Sequence, residues 1–387
     1  MEYLVIILLI VVGIYKFDFN QNATKGNNLL YGFIFILMVL MSGFAYRVGA
    51  DFVNYVYEFE SDYLGALDVN LFQLSDRQPG WVLLNYFLYT TTKNFYVLKL
   101  IQAVFFQYAV FITIKRFTPY RYTTLLLFFV FLFPQANFNV LRESFSIGFF
   151  LLGLPSLIEK NFKVYYLYIL MSVLFHYGSI PLLFLPLIYL IDFKSPRKVI
   201  IISAILFIVA IGVSKLNITN VLLRLIASTN SNELSSISEY YLLTDKYEVV
   251  GVSNIGKLFL FFFINVFPLF YLSGKDNYIL KRLIPLAFVY VFVDLLNYFI
   301  PILYRYKDYT YLLYHIVLSF FLVDYSVNRL RKHLLLICVL FSVYLYSIRS
   351  YFSVNEFYGE KLLVQYYPYY SVVSKGVSPI RERTFYY

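Results

Sequence analysis

Arginine and glutamate stand side by side at positions 142 and 143, the only charges among the 36 residues from Thr123 to Ile158. A charge in hydrocarbon costs on the order of a few kcal/mol, so such a group normally faces a partner, a water-filled cavity or a membrane edge where a ligand sits. A guanidinium stays charged at every relevant pH and grips phosphate through two parallel hydrogen bonds, which makes Arg142 a candidate for binding an anion. The plain alternatives are a carboxylate partner, or a side chain reaching for the interface. Other polar residues stand at the ends of apolar runs: Arg47 and Asp51 in AYRVGADFVNY, His176 in LFHYGS and Arg305 in IPILYRYKDY. Each has a structural reading too. Arg47 can anchor a helix end, and Asp51, one turn on, can pair with it at the surface. His176 can be hydrogen-bonded filler, although it is the one histidine placed to titrate near neutrality at that face. Asp294, in VYVFVDLLNYFIP, is a second intramembrane charge with Asn297 as its expected partner, and His315 reads as structural.

The sequence has no phosphate-binding glycine loop, no serine-centred nucleophile elbow and no HExxH zinc motif. An enzyme built without them has to activate its donor. Arginines would stabilise a diphosphate leaving group, and a carboxylate or histidine would act as base for an acceptor hydroxyl. A polyprenyl diphosphate, held at the membrane plane by its tail, is one ligand of that kind.

The elements that position these residues follow from composition. Sixty per cent of the 387 residues are hydrophobic and 14% are charged, and the mean hydropathy is +0.69; this is an all-α polytopic membrane protein. The net charge of +10 is scattered in small clusters between apolar runs, which argues against a nucleic-acid partner and for positive-inside topology. Cys338 is the only cysteine, so no disulfide framework or cysteine-based metal site is expected, and three histidines do not make a multi-histidine centre. The first apolar run, Tyr3 to Tyr15, lacks a basic leader and a cleavage site and reads as a retained span.

Twelve spans are expected, at 2–17, 29–46, 95–114, 122–137, 140–158, 164–177, 179–191, 198–214, 256–273, 283–300, 307–324 and 333–348. The run 80–92 is too short and polar, and reads as a re-entrant or interfacial helix. Gly178 and Pro181 break 164–191 in two. On this layout alternate loops carry 16 basic and five acidic residues, +11, while the rest of the chain carries 16 basic and 17 acidic, −1. That bias puts the basic side in the cytoplasm. It leaves loops 47–79 and 215–255 and the tail 349–387 on the other side, all within a single membrane domain, 1–387. The 41 tyrosines and 42 phenylalanines suit interface belts, although Tyr366, Tyr367, Tyr369 and Tyr370 could line a saccharide groove.

In order along the chain, Arg47-Val48-Gly49-Ala50-Asp51 with Tyr55, Pro79-Gly80-Trp81, Asn139-Val140-Leu141-Arg142-Glu143, Phe175-His176-Tyr177-Gly178-Ser179 and Arg305-Tyr306 resemble the EpsG-like branch of the Wzy-type polysaccharide polymerases. The resemblance covers roughly residues 45 to 310. Glu143 replaces a usual glutamine, and Arg77-Gln78 stands where a glutamate often precedes the glycine. The resemblance implies a GT-C-like fold and a polymerase that joins undecaprenyl-diphosphate-linked repeat units into O-antigen, capsule or exopolysaccharide at the periplasmic face of the bacterial inner membrane. It implies Arg47, Arg142, Arg305, Tyr55 and Asn139 as substrate-binding residues, and Asp51, Glu143 and His176 as candidates for catalysis. No metal, nucleotide or other cofactor is implied. The partners would be the lipid-linked repeat units and membrane lipids, with a chain-length regulator and other export proteins alongside. The competing readings are a transporter or flippase of lipid-linked oligosaccharide, and a lipid-linked glycan ligase or acyltransferase.

Overall fold

A computed structural model describes residues 2–20, 26–62, 77–191, 193, 195–215, 252–297, 303–324, 352, 354, 359–376 and 378–383. Cys338, the expected span 333–348 and most of loop 215–255 lie outside the described residues. Those described are helical apart from turns and two isolated β-bridges. Packing divides the chain into two compact units, one of residues 1–183 with 322–387, the other of 184–321.

In the larger unit, α1 (Glu2–Gly13), α2 (Asn27–Gly43), α3 (Phe52–Tyr57) and α4 (Pro79–Thr92) precede α5 (Phe95–Phe117), α6 (Arg121–Phe131), α7 (Leu141–Ile158) and α8 (Phe162–Phe175). Two of these, α5 and α7, are long and apolar enough to cross a bilayer, and α2, α6 and α8 are shorter apolar helices. The run 80–92 is a helix of its own, with Pro79 at its first turn where a missing N–H costs nothing. It stops at Lys93, which takes a left-handed φ of 50°. Asn94 then starts α5 by accepting a hydrogen bond from Tyr96 N at 2.9 Å. Pro134 closes off α6, and a π-helical turn, Gln135–Asn139, leads into α7.

Small residues set the closest approaches between helices, as packing in a membrane favours. A Cβ at Gly80 would meet the Leu174 carbonyl of α8 at 2.8 Å, and one at Gly148 would meet the Phe105 ring of α5 at 2.5 Å. Ser146 and Ser172 each donate to the other's carbonyl, at 2.9 and 2.8 Å, joining α7 to α8.

The tail returns to this unit. Ala45 bridges Ser371, Tyr46 N donates to Tyr370 O at 2.9 Å and Val372 N to Phe44 O at 2.9 Å. Tyr369 Oη donates to Met41 O at 2.9 Å, and Tyr3 Oη to Tyr366 O at 3.2 Å. Tyr366 and Tyr369 thus serve as structural ties, whereas Tyr367 is exposed.

The second unit holds a 3-10 helix over Tyr177–Leu190, which enters it at Phe184, then α9 (Pro196–Lys215), α10 (Val252–Ser273), α11 (Tyr278–Asn297) and α12 (Tyr304–Asp324), whose last turn returns to the first unit. The expected break in 164–191 falls at His176. The partner of Asp294 is Lys307 at 3.2 Å, not Asn297 as the sequence spacing suggests; a residue one turn away on its own helix lost to a cation on the next helix. His315 is buried, stacked on Tyr311 with ring centroids 3.9 Å apart.

Candidate functional site

A shared aromatic core brings the sequence motifs together. Phe52 and Tyr55 of α3, Trp81 of α4, Phe95 of α5, Leu141 and Phe145 of α7 and Phe175 of α8 pack into one cluster. Four of the five motifs, or the helices that carry them, contribute to it together with α5, so chain segments more than 100 residues apart meet here. The polar members stand around this cluster.

Arg142 occupies the first turn of α7. Its Nη1 donates to Gln78 Oε1 at 2.9 Å, and its charge lies near the Tyr55 hydroxyl. Burial pushes the Tyr55 hydroxyl up to about 12, while the Arg142 charge pulls the other way. Tyr55 therefore stays a neutral phenol at any relevant pH and trades no proton with the arginine. Gln78, at the position where the sequence departs from a glutamate, supplies a neutral acceptor at the N-cap of α4. The nearby carboxylate comes from elsewhere. Glu58, buried at 5% exposure, accepts from Trp81 Nε1 at 3.0 Å and Arg77 Nε at 3.2 Å.

Arg47 adopts a left-handed φ of 51°, and Gly49, two residues on, has φ 97°. Strain of this kind, about 1–3 kcal/mol for a non-glycine residue, persists only where surrounding structure enforces it. The enforcing contacts are visible. Gly49 N donates to Gln365 O at 3.0 Å, Ala50 N to Asn139 Oδ1 at 2.9 Å, and a Cβ on Gly49 would lie 2.2 Å from Phe138 O. Asn139 also donates to Gln135 Oε1 at 3.0 Å and to Tyr366 Oη, so its amide joins loop 47–51 to the approach of α7 and to the tail. Arg381 of the tail helix α13 (Pro379–Arg383) is 1% exposed. It donates to Val364 O at 2.9 Å, to Arg47 O at 3.1 Å and to Pro368 O. Its neighbour Glu382 pairs with the Arg47 side chain.

A cleft of about 210 Å³ opens beside Arg47, lined by Tyr46, Phe52, Glu60, Lys93 and Tyr96 among others. Tyr46 and Tyr96 stack with centroids 6.4 Å apart. Aromatic faces beside cations are the surfaces that sugar rings and phosphates respectively favour.

Asp51 precedes α3 as its N-cap residue and sits close enough to influence Tyr55. Glu143, on the turn of Arg142, is 3% exposed. His176 caps the end of α8, buried at 7%, and its carbonyl accepts from Ser179 N at 3.1 Å and Ser179 Oγ at 2.9 Å. Seven of the eight sequence candidates thus belong to the larger unit. Arg305 belongs to the smaller one, at the start of α12 near Lys307 and Asp308. Among the described residues no three of His, Cys, Asp and Glu gather as a metal-ligand group.

Sequence reasoning missed Glu58, Lys99, Gln365, Tyr366 and the Arg381-Glu382 pair. The tail residues carry no local signal, because their partners lie over 300 positions away. Lys99 carried one: it is the sole charge between Phe95 and Ile114.

No curated protein and no solved structure matches the chain. A family model does, over residues 28–371, and its description is the EpsG family. The matched stretch takes in loop 47–51, α3 to α8 and most of the returning tail, so the chain, a membrane protein of helices, belongs to the EpsG family, which is associated with polysaccharide polymerisation.

Proposed function

We propose that the chain is a multi-pass glycosyltransferase of the bacterial inner membrane that polymerises undecaprenyl-diphosphate-linked repeat units on the periplasmic side, with about twelve spans in a GT-C-like arrangement. The observation that carries this reading is the setting of Arg142. Its guanidinium stands at the N-terminus of an apolar helix, with Nη1 donating to Gln78 Oε1. A guanidinium at a helix N-terminus adds its charge to the partial positive charge of the helix end, and the two together favour an anion there.

In the proposed reaction the diphosphate of the donor lies against Arg142, and the negative charge that develops on the leaving group is stabilised there. Arg47 supplies a second cation at the aromatic cleft, where the first sugars of a repeat unit would stack. An acceptor hydroxyl attacks the anomeric carbon of the donor, the bond from that carbon to the diphosphate oxygen breaks, and the hydroxyl proton passes to a base among Asp51, Glu143 and His176. Tyr55 is unsuited to that task, being a phenol whose burial holds its proton. Asn139 acts through position, by fixing loop 47–51 against α7.

Replacing Arg142 with alanine in a strain depending on this chain is expected to collapse the surface glycan from a ladder of long chains to single repeat units on a gel. Normal chain length in the variant, at wild-type protein level, would sink the assignment.

A further inference from the structure

Lys99 is the most isolated charge in the described structure. Its side chain has no exposed surface, and its Nζ makes no hydrogen bond or ion pair among the described residues. What it touches is aromatic: Nζ lies 5.5 Å from the centroid of Phe52 and 5.6 Å from that of Phe138. Cation–π contacts return only part of what burying an ammonium costs.

The place where this charge stands is informative. Helices α5 and α7 run side by side in the same direction, with Gln102 Nε2 donating to Ser144 Oγ at 2.7 Å and, further along, Thr113 Oγ1 to Leu151 O at 3.4 Å. Lys99 precedes Gln102 by three residues, and Leu141 precedes Ser144 by three. At about 1.5 Å of rise per residue, this sets Lys99 level with the first residue of α7. There the N–H groups of Leu141, Arg142 and Glu143 come before the first intrahelical bond, from Ser144 N to Val140 O, and Val140 provides no side-chain cap. Phe52, one of the rings over Lys99, also lines the cleft beside Arg47. A buried ammonium, a helix N-terminus and the Arg142 turn therefore converge, with Glu143 the carboxylate on that turn.

We infer that Lys99 and the first turn of α7 form a diphosphate subsite, with Lys99 as a substrate-binding cation that the bound anion neutralises. The inference rests on the donor reading above and adds a residue to it. Phe52 and Phe138 hold the amine in place until the anion arrives, so the unliganded protein disfavours the ammonium form by burial and the bound anion favours it. Anion binding should then stabilise the fold by mass action.

The test is thermal unfolding of the full chain in detergent, with and without inorganic pyrophosphate, for the wild type, K99M and R142Q. Methionine keeps the length of the side chain and removes the charge. K99M is expected to unfold at or above the wild-type temperature without anion, and to lose the upward shift that pyrophosphate gives the wild type. K99Q, which keeps a polar end, serves if K99M does not fold, and is expected to lose the shift as well. A K99M protein that unfolds earlier and still responds fully to pyrophosphate would make Lys99 a structural cation and overturn the inference. A wild type without any response, or one equally stabilised by the monoanionic lipid phosphatidylglycerol, would overturn it too. The two readings fail separately. A response that survives K99M but not R142Q removes Lys99 and leaves the donor site. A response lost in K99M, beside an unchanged glycan ladder in the R142A strain, leaves an anion subsite and removes the polymerase mechanism.

Discussion

The two ends of the larger unit are built from the same residue types, yet they treat charge in opposite ways. At the end near Asp18, the polar groups of four segments are matched at short range. Asp18 accepts from Thr123 N at 2.7 Å and Thr123 Oγ1 at 2.8 Å, capping the first turn of α6 from another segment. Tyr122 Oη donates to Asn27 O at 2.8 Å, Arg121 to Asn28 Oδ1 at 3.0 Å, and Arg116 pairs with Glu159 at 2.6 Å. At the other end carboxylate pairs, Arg47 with Glu382 and Arg77 with Glu58, stand beside a buried ammonium, Lys99, that lies against the rings of Phe52 and Phe138. Matched polar groups stabilise helix ends; a buried ammonium with only rings against it is suited to a ligand of the opposite sign. The contrast predicts that changes at the Asp18 end alter stability alone, while changes at the Arg142 end alter glycan length.

The largest effect is expected at Gly49. Alanine there would have to hold a φ of 97° with its Cβ against the Phe138 carbonyl. Left-handed strain and overpacking together cost about 3 kcal/mol. G49A should lower the unfolding temperature and also shorten the glycan, since the same loop carries Arg47. Loss of stability with full-length glycan would show that loop 47–51 is scaffold only. R381A comes next, at about 2 kcal/mol, because it strips a donor from three carbonyls at once. The loss should appear as local release of the tail, seen as protease cleavage beyond residue 359 before global unfolding.

Much of this site was legible in the sequence because its parts are helix-end residues beside apolar runs. Arg47, Arg142 and His176 each sit where a span stops or starts, and an apolar periodicity marks such places without any knowledge of packing. The same argument applied to Phe95–Ile114 would have singled out Lys99 as it singled out Arg142. The tail clamp was not legible. Tyr366, Arg381 and Glu382 read as aromatic and charged residues of a polar tail, and only a fold that brings residue 371 beside residue 45 gives them a role. Asp294 failed for a related reason, since spacing within a helix cannot foresee a cation on the next one. The second carboxylate was hidden in the same way: Glu58 is one acid in the run EFESD, and its burial against Trp81 depends on how α3 folds back on α4.

A smaller effect, with a distinctive pH signature, is expected at Asp18, in the π-helical turn beyond α1 and outside the spans. Burial pushes its carboxyl up to about 7 from an ordinary 3.8, against the pull of the Thr123 hydrogen bonds. The folded chain therefore keeps a proton that the unfolded chain gives up between about pH 4 and 7. Its contribution to stability is greatest at the acid end, falls as pH rises through that window, and is level above about 7. D18N cannot titrate, so the difference in unfolding temperature between wild type and D18N should fall with rising pH and flatten above neutrality, with glycan length unchanged. A pH-independent difference would mean that Asp18 is ionised in the fold.

The smallest effect should come from Glu159. Its pairing with Arg116 looks strong by distance, but the two side chains are 59% and 51% exposed. Ion pairs in that setting contribute about 0–1 kcal/mol, because water screens the attraction and two long side chains lose freedom to form it. Arg116 also lies in the last turn of α5, where the helix end favours a cation with or without Glu159. E159Q should therefore shift the unfolding temperature only slightly, the shift should vanish at molar salt, and the glycan ladder should keep its length. A shortened ladder from this remote and exposed substitution would break the comparison between the two ends, since it would place functional coupling at the end where Asp18, Tyr122, Arg121 and Arg116 are matched at short range.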